Sequence, residues 1–205
     1  MIELTKEDGL WIATINRPDK ANSLTRAMLT ELADIAGDAA GEARVLVLTG
    51  TGKVFSAGAD LDEARAGLAT DPVWERLSGA LAAAPCLTIA ALNGTLAGGA
   101  FGMALACDLR IAVSGARFFY PVMKLGFLPQ PSDPARLAAV VGPARAKMIL
   151  MAGQKIEAPE ALSWGLVDRL VESEALLETA RLLSADALSA TPDHVAGIKA
   201  LVPSG

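Results

Sequence analysis

Residues 90–102 read AALNGTLAGGAFG, a glycine-rich turn between an apolar strand pattern and the start of a helical pattern. Residues 55–61, FSAGADL, form a second turn of the same kind. The small residues of such turns leave main-chain N–H groups accessible, and these groups can donate hydrogen bonds to an anionic oxygen. Two donors from separate turns would form an oxyanion hole for the enolate of a thioester. Glycine-rich turns also serve as plain tight turns and close helix contacts, so the residue pattern alone leaves both interpretations open.

Strands and helices alternate along the chain around these two turns. Residues 2–6 and 10–15 alternate apolar and polar side chains, and this pattern predicts a β-hairpin. The remaining patterns predict helices over 25–36, 72–84 and 98–107, and strands over 44–49, 87–92, 109–113 and 117–119. From Pro134 onward the pattern is mostly helical. The alternation predicts an α/β fold over residues 1–130 with a helix-rich end.

Composition limits the class of protein. Of the 205 residues, 52% are hydrophobic and 20% are charged, which is enough apolar surface for a packed core. The formal net charge of −5 argues against a nucleic-acid partner. Cys86 and Cys107 give no disulfide framework, and the start of the chain lacks the basic and apolar regions of a signal peptide. We therefore expect a cytoplasmic protein with no membrane partner.

Other segments carry weaker chemical signals. Residues 50–53, GTGK, resemble a phosphate-binding P-loop, but Val47 and Val54 stand where a glycine and a Ser or Thr are needed. The sequence has no Gly-x-Ser-x-Gly elbow, and its single histidine, His194, lies in the C-terminal tail, so a Ser-His-Asp hydrolase has little support. One histidine and two distant cysteines give no metal-site spacing, and we expect no bound metal.

Several motifs together resemble the enoyl-CoA hydratase/isomerase, or crotonase, superfamily. They include the turn at 55–61 and the run IAALNG at 89–94. The others are Asn16-Arg17-Pro18, Asn22, Gly98-Gly99, residues 106–110 (ACDLR), Leu125-Gly126, Leu128-Pro129 and residues 161–167 (ALSWGLV). They follow the family's order and spacing over about residues 10–172, which is far more specific than any single motif.

The resemblance implies a fold and a ligand. The family fold is a spiral of ββα units with two stacked sheets and flanking helices. Members bind an acyl-CoA thioester, whose oxygen accepts hydrogen bonds from two main-chain N–H groups, here those of Ala59 and Gly99. Coenzyme A is then part of the substrate and not a tightly bound cofactor, and the implied assembly is a homotrimer or a dimer of trimers. The residues implied to lie along coenzyme A are Lys20, Ala21, Asn22, Ala57, Asp60 and Leu61.

The sequence departs from the family at both hydratase carboxylates. The first family glutamate lies three residues beyond the second oxyanion glycine, where this chain has Gly102. The second follows a proline shortly before a Leu-Gly pair, where this chain has Val122. Addition of water needs a base for the water and an acid for the α-carbon, and neither glycine nor valine can supply one. The resemblance therefore implies isomerase, decarboxylase or thioesterase chemistry in place of hydration.

Two residues are candidates for the missing acid or base. Asp133 lies three residues beyond Gln130, the position at which some family isomerases carry an aspartate. Asp133 followed by Pro134 also suits the N-cap of the next helix, and the sequence leaves both interpretations open. Tyr120 is the second candidate, with a packed ring and a hydrogen-bonded hydroxyl as its structural alternative.

These expectations divide the chain into two regions and leave three functions open. Residues 1–172 are expected to form the spiral core, and residues 173–205 a shortened C-terminal helical region. One function is a lyase or isomerase of fatty acid metabolism with a non-standard acid or base. A weakly active hydratase/isomerase is the second. The third is a catalytically silent subunit that binds CoA esters or serves assembly. Ala59 and Gly99 favour an enzyme, because an oxyanion hole has little use without chemistry.

Overall fold

The computed structural model describes residues 1–202, which form two sheets with helices around them. The strands are β1 (Ile2–Glu7), β2 (Leu10–Ile15), β3 (Val45–Gly50), β4 (Val54–Ser56), β5 (Leu87–Leu92), β6 (Thr95–Ala97), β7 (Leu109–Val113), β8 (Arg117–Phe119), β9 (Ile156–Glu157) and β10 (Arg169–Val171). The helices are α1 (Arg26–Asp38), α2 (Leu61–Arg65), α3 (Val73–Ala83), α4 (Ala100–Leu105), α5 (Val122–Leu125), α6 (Asp133–Val141), α7 (Pro143–Leu150), α8 (Ala158–Trp164), α9 (Leu176–Ser189) and α10 (Pro192–Leu201).

The larger sheet has six strands in the order β1-β2-β3-β5-β7-β10. β1 pairs antiparallel with β2 through the predicted hairpin, and every other neighbouring pair is parallel. β3 has buried side chains on both faces, which explains why it is a continuous apolar run in the sequence. Parallel strands require crossover connections, and the helices between the strands provide them.

The smaller sheet has four strands in the order β4-β6-β8-β9. β4, β6 and β8 each follow directly after a strand of the larger sheet, so the chain crosses three times from the larger sheet to the smaller one. Helical segments follow each crossing and lead back to the larger sheet, after the third crossing by way of the short strand β9. This repeat confirms the predicted α/β spiral of ββα units with two stacked sheets.

The corner between β5 and β6 packs against the preceding corner of the spiral. A Cβ atom built on Gly94 would lie 2.0 Å from the carbonyl oxygen of Lys53, a distance that no real side chain tolerates. Asn93 links the same two corners, because its Nδ2 donates to the carbonyl oxygens of Gly52 at 2.9 Å and Val54 at 3.2 Å. Close approach of two main chains, and not a left-handed φ angle, therefore requires glycine at position 94.

We expect Gly94→Ala to lower the free energy of unfolding by about 3 kcal/mol, because the new methyl group must push two main-chain segments apart. Urea unfolding measures this change. Gly37→Ala on α1 is the matched control, since a Cβ atom at Gly37 meets no atom within 4 Å and alanine favours a helix interior. A Gly94→Ala protein as stable as the wild type would contradict the close contact of the corners.

The C-terminal helices pack on the larger sheet. α9 contacts β3, β5 and β7, and Lys199 anchors α10. The Lys199 Nζ atom lies 2.8 Å from Asp108 Oδ2 and donates to the carbonyl oxygen of Cys86 at 3.0 Å. Residues 203–205 of the predicted C-terminal region lie outside the described residues, and the boundary at residue 172 stays a prediction. Among residues 1–202, no helix combines the length and apolar character needed to cross a membrane.

Candidate active site

The turn after β4 leaves the main-chain N–H group of Ala59 without a partner in the described part of the protein. Its two neighbours form a parallel bridge with Leu24: the N–H of Leu24 donates to the carbonyl of Gly58 at 2.8 Å, and the N–H of Asp60 donates to the carbonyl of Leu24 at 2.9 Å. Because successive residues of an extended chain alternate in direction, the N–H of Ala59 points away from Leu24. Within residues 1–202 it donates to no protein acceptor.

Arg17 and Asp60 hold this turn in place. The Arg17 guanidinium donates to Asp60 Oδ2 at 2.8 Å and to the carbonyl oxygen of Ser23 at 3.1 Å. The hydrogen bond from Arg17 keeps the pKa of Asp60 below its usual range. The other carboxylate oxygen of Asp60 accepts the N–H groups of Asp62 at 3.1 Å and Glu63 at 3.4 Å, so Asp60 is the N-cap of α2.

The residues implied to contact coenzyme A differ in accessibility. Lys20 and Ala57 are exposed, and Leu61 is 73% exposed. Ala21 is partly exposed and takes a left-handed φ of 50° in the loop. Asn22 is fully buried, and its Nδ2 donates to the carbonyl oxygens of two residues in the neighbouring corner, at 2.9 and 2.7 Å. The Asn22 side chain therefore shapes the loop and does not present its amide to a ligand.

The turn before α4 leaves a second N–H group, that of Gly99, without a partner among residues 1–202. The N–H of Gly98 donates to the carbonyl of Phe119 at 3.1 Å. Within the helix start, the N–H of Phe101 donates to Gly98 at 3.0 Å and the N–H of Gly102 donates to Gly99 at 3.2 Å. The N–H of Gly99 precedes these bonds and, in the described part of the chain, donates to no protein acceptor.

The two turns are in direct contact. Gly58 has a φ of +91°, and a Cβ atom built on it would lie 3.0 Å from the carbonyl oxygen of Ala97 and 3.5 Å from the nitrogen of Gly99. Only glycine fits this approach without strain. The structure therefore brings Ala59 and Gly99 together at adjoining turns, and both residues line one cavity.

This cavity has a volume of about 140 Å³. Most of its wall is apolar, and exposed apolar side chains surround its opening. The lining residues are Ala57, Ala59, Leu61, Ala64, Ala69, Trp74, Gly98, Gly99, Tyr120, Pro121, Val122, Leu125, Phe127, Leu128 and Gln130.

Asp133 is buried behind this cavity wall with 1% of its surface exposed. Its Oδ2 accepts a hydrogen bond of 2.9 Å from the hydroxyl of Tyr120. Asp133 is the first residue of α6, and within residues 1–202 its side chain caps no helix, because Ser132 holds the N-cap position. The N-cap interpretation of Asp133 was therefore wrong. The physical reason is the buried Tyr120 hydroxyl, which needs a hydrogen-bond acceptor and finds it in the Asp133 carboxyl.

The carboxyl of Asp133 lies against Gly102, one helical turn beyond Gly99. A Cβ atom built on Gly102 would lie 2.6 Å from Asp133 Oδ1 and 3.3 Å from its Cγ. Asp133 therefore fills the space in which a side chain at position 102 would begin. Its Oδ1 is buried and has no hydrogen-bond partner among the described residues. Val122, the other position without a carboxylate, is buried at the start of α5 and lines the cavity.

The surroundings of Asp133 raise the pKa of its carboxyl into the neutral range. Burial raises the pKa of Asp133 to about 7, and the negative charge of Glu75 adds to this rise. The hydrogen bond from Tyr120 and the positive charge of Arg136 oppose it. Burial also raises the pKa of the Tyr120 hydroxyl, and the negative charge of Asp133 raises it further. Tyr120 therefore stays a hydrogen-bond donor, while Asp133 can gain or lose its proton near pH 7.

Two contacts that support the site were not predicted from the sequence. The Trp74 ring supports the Gly99 turn, since a Cβ atom built on Gly99 would lie 3.4 Å from its atoms, and its Nε1 donates to the carbonyl of Leu68 at 2.8 Å. The main-chain N–H of Gln130 donates to the Tyr120 hydroxyl at 3.4 Å. Both contacts join segments that are distant in the sequence.

A larger cavity of about 720 Å³ lies elsewhere, next to α9 and α10 and the C-terminal end of α4. His194, Lys199 and Asp108 are among its lining residues, and none of the predicted site residues is. Size alone would favour it as a binding site. The smaller cavity is the candidate site, because Ala59 and Gly99, whose N–H groups have no protein acceptor within residues 1–202, line it together with Tyr120, which is bonded to Asp133.

The fold and this cavity define a class of protein: an α/β spiral whose adjoining turns place Ala59 and Gly99 at one cavity. Residues 5–204 match the sequence profile described as Enoyl-CoA hydratase/isomerase. The chain therefore belongs to the enoyl-CoA hydratase/isomerase family, and the predicted family resemblance is confirmed.

Individual relatives agree with this assignment. The chain is 37% identical over 201 residues to a short-chain-enoyl-CoA hydratase of Clostridium acetobutylicum, covering 92% of this chain and 76% of that protein. It is 34% identical over 207 residues to a carnitinyl-CoA dehydratase of Citrobacter koseri, covering 97% of this chain and 78% of that protein. The crystal structure of an enoyl-CoA hydratase from Mycobacterium avium subsp. paratuberculosis matches with a TM-score of 0.88 and 33% identity, covering 97% of this chain and 82% of that one.

Proposed function

We propose that the protein is an acyl-CoA enzyme that stabilises the enolate of a CoA thioester with the N–H groups of Ala59 and Gly99. The observation that carries this proposal is the pair of N–H groups that have no acceptor among residues 1–202 and belong to adjoining turns at one cavity. Donors that are fixed before the reaction stabilise developing negative charge without reorganisation. The names of the two relatives, a hydratase and a dehydratase of CoA thioesters, support the same ligand class.

Coenzyme A would lie along the exposed edge of the site. Ala57 and Leu61 flank the cavity opening, and Lys20 is exposed on the neighbouring loop that holds Asn22. We propose that the Lys20 ammonium contacts a phosphate group, a charge-assisted contact that lysine commonly makes. Asp60 contributes indirectly, because its bond to Arg17 fixes the turn that contains Ala59. The proposed assembly is the family's homotrimer or dimer of trimers.

The proposed reaction passes through an enolate or an oxyanion and does not add water to the carbon–carbon double bond of an enoyl group. Residues 102 and 122 carry no carboxylate, so the two groups that would activate water and protonate the α-carbon are absent from those positions. Isomerisation and decarboxylation pass through an enolate that needs one proton-transferring group. Thioester hydrolysis uses the same two main-chain donors for its oxyanion.

But-3-enoyl-CoA tests this proposal, because its α-protons are acidified by both the thioester and the double bond. We expect the protein to bind it, measured by calorimetry, and to exchange α-hydrogen for deuterium in D₂O, measured by NMR. Hydration of crotonyl-CoA at the same protein concentration should be slower than exchange by about 100-fold or more, the usual contribution of one general acid or base.

One observation favours a second function, a catalytically silent CoA-ester-binding or assembly subunit: both hydratase carboxylates are missing. Binding of but-3-enoyl-CoA without exchange, isomerisation or hydrolysis would support that alternative. Failure of the thioester to bind, while the protein is folded, would contradict both functions.

A further inference from the structure

We infer that Tyr120 is the proton-transferring catalytic residue of this site, and that Asp133 is the positioning residue that holds its hydroxyl and stores the proton. Gly102 makes the arrangement possible. This inference rests on the proposed thioester function and supplies the acid–base group that positions 102 and 122 lack.

Tyr120 is the member of the pair that reaches the cavity. It lines the same cavity as Ala59 and Gly99, whereas Asp133 lies behind it and is 1% exposed. The Tyr120 ring stacks on Phe101, with ring centroids 5.5 Å apart and an interplanar angle of 26°. Its hydroxyl is held from two sides, by the bond to Asp133 and by the N–H of Gln130. Ring and hydroxyl are therefore both held in place in a residue that lines the cavity.

Gly102 admits the Asp133 carboxyl to this position. With any side chain at residue 102, its Cβ atom would overlap Asp133 Oδ1 at 2.6 Å. The Asp133 carboxyl on α6 thus occupies the space that a side chain at residue 102 on α4 would need. Burying a carboxyl oxygen without a partner is unfavourable, which makes a purely structural role a poor explanation for Asp133 Oδ1.

Tyr120 and Asp133 together can move one proton in either direction, and the total charge is conserved. When the α-C–H bond of the thioester breaks, the proton passes to the Tyr120 oxygen as the phenolic proton passes to the Asp133 carboxylate. The electron pair of the C–H bond becomes the enolate, whose charge lies on the thioester oxygen at Ala59 and Gly99. The reverse step returns a proton to carbon and leaves Asp133 ionised.

Two further charged groups face the pair from the packed helices. Glu75 on α3 accepts from the N–H of Ser132 at 3.1 Å and from its hydroxyl at 3.0 Å. Arg136 on α6 donates to the same hydroxyl at 2.7 Å. The charge of Glu75 raises the pKa of Asp133 and the charge of Arg136 lowers it. Removal of the Glu75 charge should therefore make Asp133 easier to ionise.

The test is the rate of α-hydrogen exchange on but-3-enoyl-CoA in D₂O, measured as a function of pH. For the wild type we expect the rate to rise with pH through about 7 and then to level off, because the carboxylate form of Asp133 accepts the proton. Tyr120→Phe and Asp133→Asn should each lower the plateau rate by about 100-fold or more. Glu75→Gln, which keeps an acceptor oxygen for Ser132, should shift the midpoint to lower pH.

Calorimetric binding of but-3-enoyl-CoA to each variant separates this inference from the function on which it rests. Variants that bind the thioester but exchange slowly support the inference. Exchange that persists at the wild-type rate in both Tyr120→Phe and Asp133→Asn overturns the inference and leaves the thioester function intact. A pH midpoint that does not respond to Glu75→Gln or Asp133→Asn also overturns it. A wild type that binds but never exchanges overturns both.

Discussion

Gly99→Pro should lower turnover of a CoA thioester by about 10² to 10³-fold, the typical effect of removing one oxyanion-hole donor. Proline has no N–H group, so the substitution removes the donor itself. The backbone already suits proline, because Gly99 has a φ of −60° and precedes the first residue of α4. The rate should therefore fall because of the missing donor and not because α4 changes its path.

Gly99→Ala is the matched control for that experiment. It keeps the N–H group, and its Cβ atom would meet the Trp74 ring at 3.4 Å, an ordinary contact distance. We expect exchange on but-3-enoyl-CoA within a few-fold of wild type for Gly99→Ala, with thermal unfolding used to confirm that both variants fold. Equal losses in the alanine and proline variants would show that the Gly99 N–H group is not used.

The free energy of unfolding should fall by about 4 kcal/mol as pH rises from about 4 to about 7, through Asp133 alone. The pKa of an aspartate is 3.8 before burial, and in the folded protein burial raises that of Asp133 to about 7. Between these values the folded protein keeps a proton that the unfolded chain has released, so rising pH favours unfolding. Above pH 7 both states are ionised, and the contribution of Asp133 becomes constant.

Asp133→Asn isolates this effect, because asparagine does not titrate. The difference in unfolding free energy between the variant and the wild type should change by about 4 kcal/mol in favour of the variant between pH 4 and pH 8. Urea unfolding at a series of pH values measures it, and comparing differences cancels the contributions of the other carboxylates. The same slope in both proteins would contradict a buried, protonated Asp133.

The parts of the fold that the sequence predicted are those with long, regular patterns. The hairpin of β1 and β2, the apolar strand β3 and helix α1 were all recognisable, because each spans enough residues to show a period. β4 and β6 were missed, because they overlap the two segments, 55–61 and 90–102, whose glycines indicated turns. The mostly helical end also contains β9 and β10, which are only two and three residues long.

The site was predictable only in part, for a different physical reason. The resemblance supplied Ala59 and Gly99, because each lies within a continuous motif. The contact of Asp133 with Gly102 and Tyr120 joins three elements that no local pattern connects. The preference of aspartate for the N-cap position before proline predicted a capping role for Asp133 instead. This preference reflects local geometry and contains no information about a buried hydroxyl nearby.

A structure with a bound, slowly reacting acyl-CoA measures most directly where the thioester carbonyl lies. The proposed function requires its oxygen within about 2.7–3.1 Å of the nitrogens of both Ala59 and Gly99, with both N–H groups directed at it. The contradicting result is a carbonyl bonded elsewhere, or two N–H groups directed to different sides of the cavity.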